Sequence, residues 1–461
     1  MSETSLEKSN RAMLKIIIAL ALPTMLEQLM QTAVQYIDVA MVGSLGTDAT
    51  TAIGATTTVN WLIGSTVSAL AVGFLAMISQ AIGARDAKLI KRASSQTVLA
   101  VIVAGILFTI IPLSLSPIVP TLMRVEKHIR YDASVYFFIL YTPMLFRTAS
   151  IIFGTALRAA GDTKTPMKVG ILVNITNVVL NYLLIFPSRE VEFFKWEFKM
   201  IGAGLGVIGA AIASAIAFAV GGILITIAVI RHKVISPIGQ SIRPDIEILR
   251  PCLKIALPNM LQRFGTSLGY VAFASMINSL GSVATAAHTL ANTVESAFYV
   301  PGYGMQTAAA TLAGNAVGER DNEKMSKVTS MIIKIEIILM IISGTLLFIF
   351  APNLLRLFSK DAKVIALASV VLRMVAVSEP FYGVSIIIEG VMQGVGETVI
   401  PFKFNIIGMW GVRIIGTLIF TQLIGMGLPS AWGCMIAHNV LLFTLFLIHY
   451  KRGNWNPLIT K

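Results

Sequence analysis

The seven residues LALPTML, Leu20–Leu26, return as IALPNML at Ile255–Leu261, and they do not return alone. SLGTDATTA from Ser44 comes back as SLGSVATAA from Ser279, QAIGARD from Gln80 as NAVGERD from Asn315, and GDTKTP from Gly161 as GETVIP from Gly396. Each pair is separated by the same 235 residues, so no gap intervenes across four or five predicted spans. Self-similarity at one fixed offset means that one architectural unit is used twice.

That unit crosses a membrane. Apolar stretches of about 20 residues, enough for a helix to span a bilayer, recur along the whole chain, and about twelve are expected. Hydrophobic residues make up 56% of the chain and charged residues 13%, where a soluble domain carries about 25% charged residues. Six spans per half is an even number, so both halves enter from the same side as parallel repeats, with a substrate cavity expected between them. The expected fold is therefore all-α integral membrane: twelve transmembrane helices in two six-helix lobes related by a pseudo-twofold along the membrane normal. The N-lobe takes residues 1–230, a cytoplasmic linker 231–250, and the C-lobe 251–461.

The net charge of +13 does not point to nucleic acid as a partner, because the basic residues fall in short loops: Lys88, Lys91 and Arg92; Arg231, Lys233 and Arg243; Lys324 and Lys327; Lys451 and Arg452. This is the positive-inside pattern, which places those loops and both termini in the cytoplasm of a multi-pass protein of the plasma membrane, expected to act as a monomer. The polar start MSETSLEKSNR runs straight into an apolar segment too long for a secretory signal core, so the first helix is read as retained. Two cysteines, Cys252 and Cys434, are too few for a disulfide framework. The repeat register breaks at Ser188–Met200. That insert is expected as an external loop at the membrane interface, with Phe193, Phe194, Trp196 and Phe198 among charges.

Polar residues inside apolar spans carry the functional information. Asp38 stands in VQYIDVAMVGSLG, and a buried unpaired charge in hydrocarbon is costly enough that it must be paired, neutralised or in a wet cavity. On a helix, Glu27, Gln31 and Asp38 fall close to one face, with Asp38 about 16 Å beyond Glu27 and Tyr36 nearby. The fifth span offers Asn174, Asn177 and Asn181 on one face. Amides donate and accept, so they can hold a carboxyl in either protonation state or coordinate Na⁺; they can also simply join helices. At the repeat-equivalent positions Asp38 becomes Phe273 and Glu27 becomes Gln262. Glu27 is thus open to a packing role as much as a functional one. In the C-lobe, Arg263, Glu295, Glu379, Glu389 and Arg413 are expected to compensate one another, or else to form a second cation or substrate site. Met77, Met144, Met260, Met305 and Met392 would suit a flexible cavity wall, though methionine is ordinary in membrane helices.

Pro23, IDVAMVGSLG, QAIGARD, LRAAGDTKTPM, the asparagines of the fifth span, VIGAAIAS and their echoes in the second half make the chain resemble, nearly end to end, the multidrug and toxic compound extrusion (MATE) family. The resemblance implies a two-lobed, twelve-helix exporter that works by alternating access and exchanges drug for H⁺ or Na⁺. It maps Asp38 onto the family's cation-coupling aspartate and Asn177 and Asn181 onto its partners, a possible Na⁺ position, although one archaeal branch has an aspartate where Asn181 stands. From their place on the polar stripes Glu27, Gln31, Tyr36 and Asn174 are expected to line the cavity, and Pro23, which lacks the N–H of a regular turn, to act as a hinge. Thr266 and Tyr382 stand where the sodium-coupled branch has acids, which argues against a Na⁺ site there. The expected function is a secondary antiporter exporting amphipathic organic cations, small-molecule drugs among them, without cofactor other than the coupling ion. A lipid or lipid-linked oligosaccharide flippase of the same superfamily is the alternative. A channel would dissipate a cation gradient without stoichiometric drug movement. No enzyme is expected: His128, His232, His288, His438 and His449 lack metal-ligand spacing, and no H-E-x-x-H or P-loop is present.

Overall fold

The structure is a computed structural model that describes residues 3–123, 125–193 and 196–459. In chain order, α1 (Glu3–Gly43), α2 (Thr47–Gly83) and α3 (Ala87–Leu115) are followed by the single turn α4 (Val119–Leu122), α5 (Arg130–Tyr141), α6 (Met144–Ala159) and α7 (Lys164–Ile185). A hairpin of β1 (Pro187–Phe193) and β2 (Trp196–Ala203) leads to α8 (Gly206–Arg231). The second half runs α9 (Ile246–Asn278), α10 (Ser282–Glu319), α11 (Asn322–Arg356), α12 (Ala362–Ala376), α13 (Glu379–Val395), α14 (Val399–Ile406), α15 (Ile415–Thr417) and α16 (Leu428–Arg452). Around α15 the helix widens into π turns at Ile407–Ile414 and Leu418–Leu423.

Eight of these helices, with Val399–Leu423 taken as one, are long and apolar enough to cross a membrane. Two bent pairs, α5 with α6 at 47° and α12 with α13 at 54°, raise the number to ten. The 33-residue α9 and the 38-residue α10 are long enough but more polar, and they complete a twelve-span, all-α membrane fold. Where a soluble helix would be polar on its outer face, α3 is not: Ile102, Val103, Ile106, Leu107 and Ile110 are all exposed. An apolar stripe turned outward at helical spacing is a lipid-facing surface.

The repeat is written into the backbone. Helix starts at Thr47 and Ser282, Ala87 and Asn322, Met144 and Glu379, and Lys164 and Val399 are each 235 residues apart. So are the left-handed residues Arg85 and Arg320 (φ 55° and 57°), Gly46 and Gly281, and Gly161 and Gly396. At Arg85 and Arg320 the chain leaves its helix by the same pair of bonds, Asp86 N to Ala81 O at 3.1 Å and Asp321 N to Ala316 O at 3.0 Å. A helix closed by a left-handed residue and a bond reaching five residues back satisfies the last carbonyls.

By contacts the chain forms two compact units. The larger holds residues up to Gln28, Leu75–Ala87 and those from Arg250 onward; the smaller holds Leu29–Phe74 and Lys88–Leu249. Helix α1 thus divides between the two at Gln28. In the larger unit α2 and α10 touch through glycines. A Cβ on Gly83 would collide with the backbone of Asn315, and one on Gly318 with the backbone of Gln80 and Ala84. Gly83 and Gly318 are themselves repeat partners, and small residues let membrane helices approach backbone to backbone. In the smaller unit, the 231–250 linker is tied to α3. Ser94 Oγ donates to Ile235 O, Gln96 Nε2 to Arg243 O at 3.0 Å, and Arg92 pairs with Asp245 at 2.8 Å and Glu247 at 2.6 Å.

Three expectations change. The insert at Ser188–Met200 is an antiparallel hairpin rather than a loop, with Val191 opposite Phe198 and Phe193 opposite Trp196. Charged and β-forming residues alternate there with period two, which is strand patterning; Phe194 lies outside the described residues, as do the side chains of 189–200. Met144, Met305 and Met392 are 0–3% exposed. They fill space between helices and line no open wall. The C-lobe charges form no close ion pair with one another among the described residues: Glu295 lies within electrostatic reach of Arg413, and the nearest contacts of Glu389 and Arg413 are amides and rings, as described next.

Candidate functional site

Asp38 lies five residues before the end of α1, half-buried, and its carboxylate meets α7. Asn181 Nδ2 donates to Asp38 Oδ1 at 2.6 Å. Asn177, one turn earlier on α7, lies beside it. With its amide nitrogen toward Asp38 it donates to Oδ1 at 2.8 Å and approaches Oδ2 at 3.2 Å, while its oxygen accepts from Ser214 Oγ of α8 at 3.1 Å. With the amide turned over, Asn177 Nδ2 donates to Ser214 Oγ at 3.1 Å and its oxygen accepts from Asn181 Nδ2 at 3.1 Å. The first orientation gives an ionised carboxylate two donors. The second presents an acceptor, which is what a protonated carboxyl needs. A hydroxyl and two amides can therefore accommodate Asp38 in either protonation state.

Asn177 and Asn181 are 6% and 2% exposed, and Asn181 Oδ1 is a buried oxygen with no partner among the described residues. An unpartnered buried acceptor costs about 1–3 kcal/mol. Together with the carboxylate and Ser214 Oγ, it could serve a proton or a small cation such as Na⁺ as an oxygen ligand. Asn174, one turn farther back on α7, keeps a buried and unpartnered Nδ2. Gln31 is exposed and Tyr36 half-buried on the C-terminal part of α1. Thus Asp38, Asn177 and Asn181 meet, with Ser214 bonded to Asn177, whereas Gln31 and Asn174 make no hydrogen bond to that group among the described residues.

Pro23 and Glu27 belong to the larger unit. Next to Pro23, Thr24 Oγ1 donates to Ala21 O at 2.8 Å and lies 3.0 Å from Gly304 O of α10. Gly304 also brings α10 against the Met25 backbone, where a Cβ would not fit. The N-terminal part of α1 is therefore fastened at the proline. Glu27 is 8% exposed.

The C-lobe acids are held by amides or stand without bonds. Glu389 accepts from Gln262 at 2.9 Å, Gln393 at 3.1 Å and Asn405 at 3.2 Å. Arg413 stacks over Phe273 and Tyr270, its guanidinium carbon 4.2 Å and 4.9 Å from the ring centroids. Amide donors and aromatic faces substitute for opposite charge here. Glu295 and Glu379 are 6% and 1% exposed. A further acid, Glu336 of α11, is fully buried with both carboxylate oxygens unpartnered. The signal for it is plain in KIEIILMII: one acid in an apolar run, as for Asp38. At the positions where acids would make a Na⁺ site, Thr266 Oγ1 bonds its own helix at Gln262 O (2.8 Å) and the Tyr382 hydroxyl meets that of Tyr303 at 2.9 Å.

The family model described as MatE matches residues 23–183 and 258–419, two blocks that begin at the repeat-related prolines. A Thermotoga maritima protein named "Probable multidrug resistance protein NorM" is 26% identical over 445 residues, covering 96% of this chain and 93% of its own. A crystal structure of MATE in complex with MaD3S superposes with a TM-score of 0.88 at 23% identity, covering 97% of both chains. A MOP superfamily transporter from Pyrococcus furiosus, for which reverse polarity of the binding pocket is said to suggest a different function, gives 0.86 at 24% identity, again over 97% of both.

Proposed function

The chain belongs to the MatE family, and from that premise we propose that it is a secondary active multidrug efflux antiporter, exporting amphipathic organic cations in exchange for H⁺ or Na⁺. The observation that carries this reading is the Asp38 carboxylate held by Asn181 and within reach of Asn177, which in turn bonds Ser214, a group that can exchange a cation and report the exchange to α7 and α8. The multidrug resistance name of the Thermotoga maritima relative supports the substrate class. Basic loops support a plasma-membrane protein with both termini in the cytoplasm.

In the proposed cycle a cationic drug is held by the ionised Asp38, with Glu27, Gln31, Tyr36 and Asn174 contributing to the cavity. Uptake of the coupling cation from outside cancels the charge, and a protonated carboxyl then donates to an asparagine oxygen. The outer part of α1 swings about Pro23 and the drug leaves. Release of the cation to the cytoplasm resets the site. The test is drug flux in proteoliposomes under an imposed pH gradient and, separately, a Na⁺ gradient. Export driven by neither removes the antiport reading, and dissipation of the gradient without drug movement replaces it with a channel.

The hinge is separately testable. Proline lacks the N–H of a regular turn and its ring crowds the preceding one, so it eases bending at a cost of about 3 kcal/mol to a straight helix. Pro23→Ala is expected to bind drug as the wild type does but to turn over far more slowly. Wild-type turnover by a Pro23→Ala protein would eliminate the hinge and leave coupling at Asp38 untouched.

A further inference from the structure

Arg147, one of two arginines of α6, stands in the same unit as Asp38 and takes no part in the proposed coupling. Its guanidinium carbon lies 4.7 Å from the centroid of the Phe218 ring, and Nη1 donates to Asn60 Oδ1 at 2.5 Å. The Tyr141 hydroxyl also reaches that oxygen, at 3.4 Å. Among the described residues no carboxylate forms an ion pair with Arg147. A charge inside a membrane protein without a counter-charge faces a water-filled cavity or waits for a partner.

The guanidinium has spare capacity. It carries five N–H donors in a planar fork, and Asn60 uses one. Arg147 is half-buried, so part of its side chain remains accessible. The approach to Nη2 is kept clear by Gly64 of α2, where a Cβ would lie 3.2 Å from that nitrogen. Phe218 covers one face of the group and leaves its edge, the side that makes paired bonds to a carboxylate. Tyr136, 8% exposed, lies within electrostatic reach of both Asp38 and Arg147. The repeat-equivalent position holds Tyr382, so duplication of the fold does not require a cation there.

We propose that Arg147, positioned by Asn60 and Phe218, receives the carboxylate of a transported amphiphile whose ammonium end is held by Asp38, so that the smaller unit takes zwitterions as well as simple cations. This rests on the efflux reading and names a substrate class for the same unit.

The test uses two dyes that differ in one group: a rhodamine with a free carboxylate, which is zwitterionic, and its methyl ester, which is a cation. Binding of each is followed by fluorescence anisotropy with the full-length protein in detergent. Arg147→Gln is expected to weaken the carboxylate dye about tenfold or more, as loss of a charge-assisted hydrogen bond requires, and the ester less than about twofold. Arg147→Lys, which keeps the charge, is expected to recover part of the difference and guards against a Gln variant that fails to fold. Equal weakening of both dyes overturns the proposal, as does no weakening of the carboxylate dye. A change confined to the pH dependence of ester binding also overturns it, because Arg147 would then be balancing Asp38 internally. Export of the ester by the wild type is measured apart. Failure there removes the efflux reading while a binding difference between the dyes leaves the Arg147 site standing.

Discussion

Asp38→Asn is expected to reduce gradient-driven export to the level of protein-free vesicles while the protein remains folded and in the membrane. The substitution keeps the shape of the side chain and removes its exchangeable charge. Asn181 donates to Asp38 at 2.6 Å, and exchanging that charged acceptor for an amide oxygen costs about 1–2 kcal/mol at most, since neutral hydrogen bonds are roughly half as strong as charge-assisted ones. Such a loss leaves a folded protein to assay. Drug-driven dye quenching in vesicles under pH and Na⁺ gradients is the readout, with protein recovered from detergent by size exclusion as the control. Normal export by a well-expressed Asp38→Asn protein ends the assignment. Loss of coupling on neutralising Glu295, Glu336 or Glu379, with Asp38→Asn active, moves it to the larger unit.

The second large effect is expected in folding. Gly318→Leu drives a side chain into the backbone of Gln80 and Ala84, where no rotamer change can make room. Overpacking of a close helix contact costs about 1–3 kcal/mol and occasionally more, and here the obstacle is main chain on both sides. Gly83→Leu should behave alike against Asn315. Gly433→Ala is the contrast: nothing lies within 4 Å of its added methyl, and alanine favours the helix by up to about 1 kcal/mol. Thermal unfolding in detergent should rank Gly318→Leu well below the wild type and Gly433→Ala at or above it. Equal stability of all three proteins would mean that the α2–α10 contact does not hold the unit together.

The repeat made most of the fold legible, because a helix start seen once predicts its partner 235 residues later, and apolar length supplies the spans. Asn177 and Asn181 could be placed on one helix face from their spacing, and that face is set against Asp38. Spacing could not supply Ser214 of α8, which depends on how α7 and α8 pack. Glu336 was as visible as Asp38 but has no polar stripe beside it to attract notice. The β1–β2 hairpin carried an alternation that its aromatic residues disguised as membrane-interface character. The compensation expected around Arg413 and Glu389 takes a looser form: Glu295 stays within electrostatic reach of Arg413, while the nearest contacts are amide nitrogens and ring faces that a list of charges leaves out.

The α2–α10 crossing also bears on how such a chain arose. Gly83 faces Asn315 and Gly318 faces Gln80, so residue i meets j and the copy of j meets the copy of i. That reciprocity is the signature of an isologous contact, the kind made by two identical subunits about a twofold axis. A six-span ancestor using this surface would have dimerised through it, and one mutation at its single glycine would have struck the interface twice. After fusion each copy varies alone. An aspartate can persist at 38 while 273 becomes phenylalanine, and an arginine can occupy 147 while 382 is tyrosine. The joined gene thereby allows one half to specialise in chemistry that the other half has given up.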